Sequence, residues 1–240
     1  MRNDVIQSLW IGNEISVMER LSLASFLAHG HPVHLYVYGD VAGVPGGVTL
    51  WDANEILPAD RIFQYAQHKS YAGFANFFRY KLLLERGGWW ADTDTVCLRP
   101  FDFVSDHVFP TEWTESPEPT LANSPLKAPR GSVVMRHAWS VCQSKDTGAI
   151  AWGETGPRLI AEAVQRFSLQ HCAKAPRVFL PIPYLEWQSV LDPARTWEFG
   201  PETHAIHLWN EMWRRHGQEK NARYDPQCLY EQLKARYLDS

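Results

Sequence analysis

The sequence predicts an α/β fold, with a mixed, mainly parallel sheet flanked by helices in a single domain. Three observations predict it. Strand, helix and strand patterns follow one another between Val5 and Asp40, a βαβ arrangement that demands a parallel pair. A helical pattern, "SYAGFANFFRYKLLLERGG", then runs through a glycine pair into the extended-looking "WWADTDTVCLRP". Finally, the 240 residues hold no repeat, no low-complexity stretch and no apolar run of transmembrane length, and they suffice for one substantial core.

Element by element, "VIQSLWI" reads as a buried strand. "SVMERLSLASFLAHG" places Met18, Leu21, Ala24 and Leu27/Ala28 on one helical stripe. Ser16 followed by Glu19 is a capping-box pattern, and Gly30 is a stop. "PVHLYVYGD" alternates like a strand, and "GVTLWDA" is a third. The helix over "SYAGFANFFRYKLLLERGG" is apolar on most sides and ends at Gly87 or Gly88. Thr95 and Val96 favour an extended segment that Pro100 ends. Residues 110–132 are Pro-rich and polar, a loop or short hairpin over the sheet edge. "SVVMRHAWSVCQSK" fits strand and helix equally. "ETGPRLIAEAVQRFSLQ" is a helix capped by Thr155 or Gly156, with Pro157 in its first turn. "RVFLPIPYLEW" and "THAIHLWNEMW" each suggest a short strand, and "DPQCLYEQLKARYL" a closing helix.

Bulk properties narrow the function. The net charge of −4 argues against a strong nucleic-acid binder, whose phosphate contacts demand a basic face. Cys97, Cys142, Cys172 and Cys228 form no C-x-x-C pair, so a structural zinc site is not expected and the thiols read as reduced. The start, "MRNDVIQSLWIGNEIS", lacks the apolar run of a signal peptide, which points to a cytoplasmic protein. Eleven tryptophans are an excess, and several stand at loop-like positions where an indole can stack on a base or on the C–H face of a sugar.

Asp92 and Asp94 stand at i and i+2, on one side of an extended strand. Carboxylates that close repel and call for a cation. Mg²⁺ and Mn²⁺ prefer oxygen ligands and share them with substrate phosphates. Upstream, Asn76 and Arg79 share a helix face, three residues apart. An arginine there is a charge-assisted partner for a metal-bound diphosphate; its plain alternative is a salt bridge to Glu85 or another carboxylate. No P-loop is present, since "GDVAGVPGG" lacks the G-K-[ST] ending. A glycosidase is disfavoured, because i and i+2 carboxylates are too locked together to flank a bond from both sides.

With these residues in view, "YAGFANFFRYKLLLERGGWWADTDTVCLRP" resembles the core of the DXD-containing sugar transferases of the GT-A fold. It is most similar to the group of α-1,4-galactosyltransferases, initiating mannosyltransferases and bacterial capsule glycosyltransferases. "LWIGNEIS" resembles the opening strand of that superfamily, the clostridial glucosylating toxins included. "LANSPLKAPRGS", "ETGPRLI", "LPIPYLEW" and "AIHLWNEMW" resemble later segments of the group, so the likeness spans residues 5 to about 215. One departure is that the family's Ser-Asp before x-x-Arg is Ala75-Asn76, which keeps hydrogen bonding but loses a charge.

The resemblance implies a Rossmann-type sheet, with a nucleotide-sugar half over residues 1–100. An acceptor half with a closing C-terminal segment follows over 101–240. It implies a retaining, metal-dependent transfer from a nucleotide-diphospho-sugar (UDP favoured, GDP as the alternative) to a saccharide or glycolipid, as in bacterial surface polysaccharide synthesis. Asp92 and Asp94 would bind Mn²⁺ or Mg²⁺, completed by His207, with His204 as its rival. Arg79 would act on the diphosphate, Trp10 would stack on the base, and Asn76 and Asn123 would hold sugar hydroxyls. Trp90 would line the donor pocket, and Trp209 would close over it. Transient association with the inner membrane surface is the expected location of use. The competing readings are a nucleotide-sugar hydrolase using the same metal site and a non-catalytic sugar-binding module.

Overall fold

The apolar run Ile6–Trp10 forms β1, and four of its five residues are buried, as in a strand covered on both faces. The computed structural model describes residues 4–238. α1 (Val17–Ala28) starts with the full capping box: the Ser16 hydroxyl accepts the Met18 N–H at 3.2 Å, and the Glu19 carboxylate accepts the Ser16 N–H at 2.7 Å. β2 (Val33–Val37) and β3 (Val48–Asp52) follow. β1 pairs in parallel with β2, and β2 with β3.

α2 (Ala72–Arg86) covers one face of this sheet and hands over to β4 (Gly88–Trp90), which lies parallel to β1. The handover needs glycine. Gly87 has φ 69°, and a Cβ there would sit 2.5 Å from the Arg130 backbone nitrogen. Trp89 and Trp90 point to opposite faces, as neighbours on a strand must. Trp89 packs on Phe101, Phe103 and Phe179, and Trp90 on Phe78. Each tryptophan thereby anchors a different hydrophobic core.

The chain continues through β5 (Thr95–Cys97), β6 (Phe109–Glu112), β7 (Thr120–Leu121) and β8 (Leu126–Ala128). β8 closes antiparallel on β4, giving the order β3-β2-β1-β4-β8. The Pro-rich stretch is thus the expected hairpin, β6 and β7, continued by a strand that joins the main sheet. The ambiguous segment after it is helical, as α3 (Val133–Gln143), and α4 (Pro157–Arg166) follows with Gly156 as its N-cap. β9 (Ala173–Lys174) joins β6 in parallel.

One expectation is corrected here. "RVFLPIPYLEW" forms no strand; it makes the single turn α5 (Pro176–Phe179) and a 3₁₀ segment over Tyr184–Leu191. Prolines at 176, 181 and 183 remove the N–H groups a ladder needs while favouring helical first turns. β10 (Ala205–His207) pairs antiparallel with β5, α6 (Asn210–Arg215) follows at once, and α7 (Leu229–Tyr237) closes the chain. α7 packs with α1 and β10 in a third core built on Trp213 and Tyr230. Among the described residues, no helix is long and apolar enough to cross a membrane.

Candidate active site

Asp92 and Asp94 lie not on a strand but in the turn between β4 and β5, closed by the Thr95 N–H on the Asp92 carbonyl at 3.0 Å. The pleat of an extended pair is replaced by a bend that turns both carboxylates toward one point. The turn sits at the C-terminal edge of the parallel strands, where open α/β sheets gather ligands. α1 fixes the strand that follows it: the Ser22 hydroxyl donates to the Thr95 carbonyl at 2.6 Å, and the Cys97 N–H donates to the Ser25 hydroxyl at 2.8 Å.

Asp92 is held from one side only. Its Oδ1 accepts from Arg79 at 2.7 Å and from the Trp90 indole at 2.9 Å, while Oδ2 takes neither bond. The Asp92 N–H donates to the Ser124 hydroxyl at 2.9 Å. Trp90 is 1 % exposed, so its ring does not line a pocket as expected; burial leaves its N–H on Asp92 as what it offers the site. Arg79 is itself buried, with its guanidinium 5.0 Å above the Trp90 ring and donating to the Asn123 carbonyl. The Asn123 amide donates to the Asn76 Oδ1 at 2.8 Å. Both amide nitrogens sit within 3.4 Å of where a Cβ on Gly156 would be, so that glycine lets the α4 N-terminus approach the pair.

From the other side comes the β10–α6 segment. The Asn210 N–H donates to Asp94 Oδ2 at 2.8 Å, and His207 Nε2 lies 3.3 Å from Asp94 Oδ1. His207 Nδ1 accepts the Trp209 N–H at 3.2 Å, which fixes the ring with Nε2 facing Asp94. Trp209 adopts a left-handed conformation, φ 57°, and its indole N–H reaches the Ile182 carbonyl at 2.8 Å. His204 is excluded from this cluster. Three residues from His207 on a strand, it faces the other way and hydrogen-bonds the Pro100 carbonyl at 2.7 Å among Phe101, Phe103 and Phe179. Trp10, at the end of β1, is half-buried with its indole N–H on the Glu14 carbonyl.

Ligand atoms of Asp92, Asp94 and His207 all lie within 4.8 Å of one another. Burial raises the Asp94 pKa; the His207 charge opposes this, and Asp92 adds to it. Arg79 pairs with Asp92 alone, so the repulsion that Asp92 exerts on the buried Asp94 would be relieved by a cation shared between the two. Two carboxylates and an imidazole suit Mg²⁺ or Mn²⁺, so the residues fit a divalent ion.

Glu112 was not singled out in the sequence, where it is one acid among several in "PTEWTESPEP". It lies at the end of β6, half-buried, with a pKa pushed up to about 7 by burial and opposed by His207. Glu211 was also missed. It takes hydrogen bonds from Arg214, Arg215 and Ser70, tying α6 to the segment before α2. Arg214 and Arg215 are its neighbours on α6, but only folding brings Ser70 to Glu211 and Glu112 within reach of the His207 charge.

The family model described as glycosyltransferase sugar-binding region containing DXD motif matches residues 17–113, and that of the alpha 1,4-glycosyltransferase conserved region matches residues 148–237. In fold, the chain is similar to the solved PaToxG glycosyltransferase, with TM-score 0.52, 16% identity and 69% of each chain covered. It also aligns with a solved transferase mutant at TM-score 0.46 and 12% identity, over 69% of this chain and 85% of that one. No curated protein matches the chain in sequence. Both models are of glycosyltransferases, and they support a transferase enzyme. The DXD-motif model spans α1 to β6 and so includes Asp92 and Asp94, and the alpha 1,4-glycosyltransferase model spans β10, with His207, and α6.

Proposed function

We propose that this enzyme is a retaining, divalent-metal-dependent transferase that moves a sugar from a UDP-sugar, or alternatively a GDP-sugar, to a saccharide or glycolipid. Bacterial surface polysaccharide synthesis is the setting, with the chain working in the cytoplasm and transiently at the inner membrane face. The observation that carries the reading is the convergence of Asp92, Asp94 and His207 beside the buried Arg79. Asp92, Asp94 and His207 hold Mn²⁺ or Mg²⁺, which when bound supplies Lewis-acid neutralisation of the leaving diphosphate.

The chain's own residues do the rest. Asp92 orients Arg79, which adds positive charge beside the departing diphosphate. Asn76 and Asn123, locked amide to amide, present their remaining donors and acceptors to the sugar hydroxyls. Trp10 stacks on the base. Trp209 closes over the donor and limits loss of sugar to water. The acceptor hydroxyl attacks from the side the diphosphate leaves, and the leaving phosphate oxygen takes its proton. Residues 1–100 serve the donor, and residues 101–240 serve the acceptor and the closure.

The test is a thermal-shift screen of UDP- and GDP-sugars with MnCl₂, followed by transfer assays. Asp94→Ala is expected to keep the fold and lose turnover. Full metal-dependent transfer by an Asp92→Ala/Asp94→Ala double variant overturns the proposal.

A further inference from the structure

Glu112 ends β6, whose cross-strand partner there is Thr120. Two residues beyond Thr120 the chain reaches Ala122, which bonds back to Pro110, and then Asn123 beside Arg79. Glu112 therefore sits on the hairpin that delivers Asn123 to the donor side. The charge that acts on its carboxylate is that of His207. Among the described residues, this carboxylate makes no hydrogen bond and no ion pair, although the residue is half-buried. It lies outside the Asp92, Asp94, His207 ligand cluster. By contrast, Asp92 is held by Arg79, Asp94 by the Asn210 N–H, and Glu211 by two arginines.

A partly desolvated carboxylate without a partner is costly, and such groups recur where a ligand brings the missing donors. The donor diphosphate is anionic and is repelled by a carboxylate. A neutral hydroxyl is the complementary group, since O–H to carboxylate bonds are short and strong. Trp113 follows directly and is 43 % exposed, an apolar ring open to solvent next to Glu112 in the chain. Resting on the transferase reading above, we propose that Glu112 binds a hydroxyl of a neutral saccharide acceptor and, with Trp113, forms the mouth of the acceptor subsite. Its raised pKa agrees with this: burial, which the His207 charge offsets only in part, favours the uncharged form, which still bonds a hydroxyl.

The experiment uses the full chain with MnCl₂ and UDP. A glycan array probed with the wild type selects the saccharide, and transfer to it is then measured from UDP-glucose, UDP-galactose, UDP-N-acetylglucosamine and GDP-mannose. For Glu112→Gln and Glu112→Ala, kcat/KM for the acceptor is expected to fall about 10-fold and about 100-fold, mostly in KM, and the ratio of transfer to donor hydrolysis to fall with it. The dissociation constant for UDP with Mn²⁺ stays within about twofold, the change left by losing no donor contact. Trp113→Ala raises the acceptor KM without weakening UDP. Equal loss of transfer and hydrolysis, weakened UDP binding, or unaltered transfer in Glu112→Ala overturns the assignment. So does a wild type that binds no saccharide on the array. A wild type that cleaves none of the donors and binds no UDP overturns the transferase reading itself, and the Glu112 assignment with it.

Discussion

Removing Arg79 tests whether the site is held together as described. Arg79 is 3 % exposed, and its guanidinium makes an ion pair with Asp92 at 2.7 Å, a bond to the Asn123 carbonyl and a stack over Trp90 at 5.0 Å. Arg79→Ala deletes all three and leaves a void against the first core. Breaking a buried pair costs about 3–5 kcal/mol, and the low end applies because the Asp92 side chain keeps 29% exposure and solvent eases its loss. For a domain of this size that is a fall of about 6–12 °C in Tm, at roughly 2–4 °C per kcal/mol. Arg79→Lys keeps the charge but has one donor head where two oxygens must be served, and is expected to recover less than half of the loss. The assay is urea unfolding in chelator for wild type, Arg79→Ala, Asp92→Asn and the double variant. A coupling of about 1.5 kcal/mol is expected, because Asp92→Asn removes the charge that Arg79→Ala strands. A single-variant cost below about 1 kcal/mol, the range of exposed pairs, together with no coupling refutes the reasoning.

Three further outcomes are expected. Glu112 has its pKa raised from 4.5 to about 7, so its contribution to stability is fully present below pH 4.5 and is lost as the pH rises through 7. Glu112→Gln should therefore gain on the wild type by up to about 3 kcal/mol between pH 5 and pH 8, read from urea midpoints in chelator; a pH-independent difference contradicts it. Gly87→Ala, which would put a Cβ 2.5 Å from Arg130 and keep φ at 69°, should cost about 2 kcal/mol or more, whereas Gly46→Ala, with open space around it, should stay within about 0.5 kcal/mol. MnCl₂ at about 100 times its Kd should stabilise the wild type by about 2.7 kcal/mol, less in His207→Ala and not at all in Asp94→Asn; equal stabilisation of all three removes the cation from the cluster.

Local chemistry made much of this molecule readable in one dimension. The Ser16–Glu19 capping box needs partners only three residues apart, so its signature is its mechanism. The apolar stripes of α1, α2 and α4, the glycines before β4 and the long pattern ending in D-T-D are likewise short-range facts that survive folding. The segment over Pro176–Leu191 was misread because short apolar runs fit strand and helix alike, and the pairing partner that decides between them is nonlocal. The aspartates were recognised, but their geometry was not. A turn between β4 and β5, pinned by α1, Ser124 and the α6 N-terminus, replaces the expected pleat.

The choice of His207 over His204 shows the division most clearly. Both residues stand in one short stretch and have equal chemistry. The pairing of β10 with β5 sends one ring toward Asp94 and the other into a cluster of phenylalanines. Glu112 belongs to the same category, an ordinary acid in sequence whose setting arises only when folding buries it within reach of the His207 charge. Residue types and their near neighbours determined what chemistry this chain carries. Which of those groups meet, which are desolvated and which are left without a partner was decided by contacts between residues tens to more than a hundred positions apart, because burial and electrostatic coupling depend on distance in space.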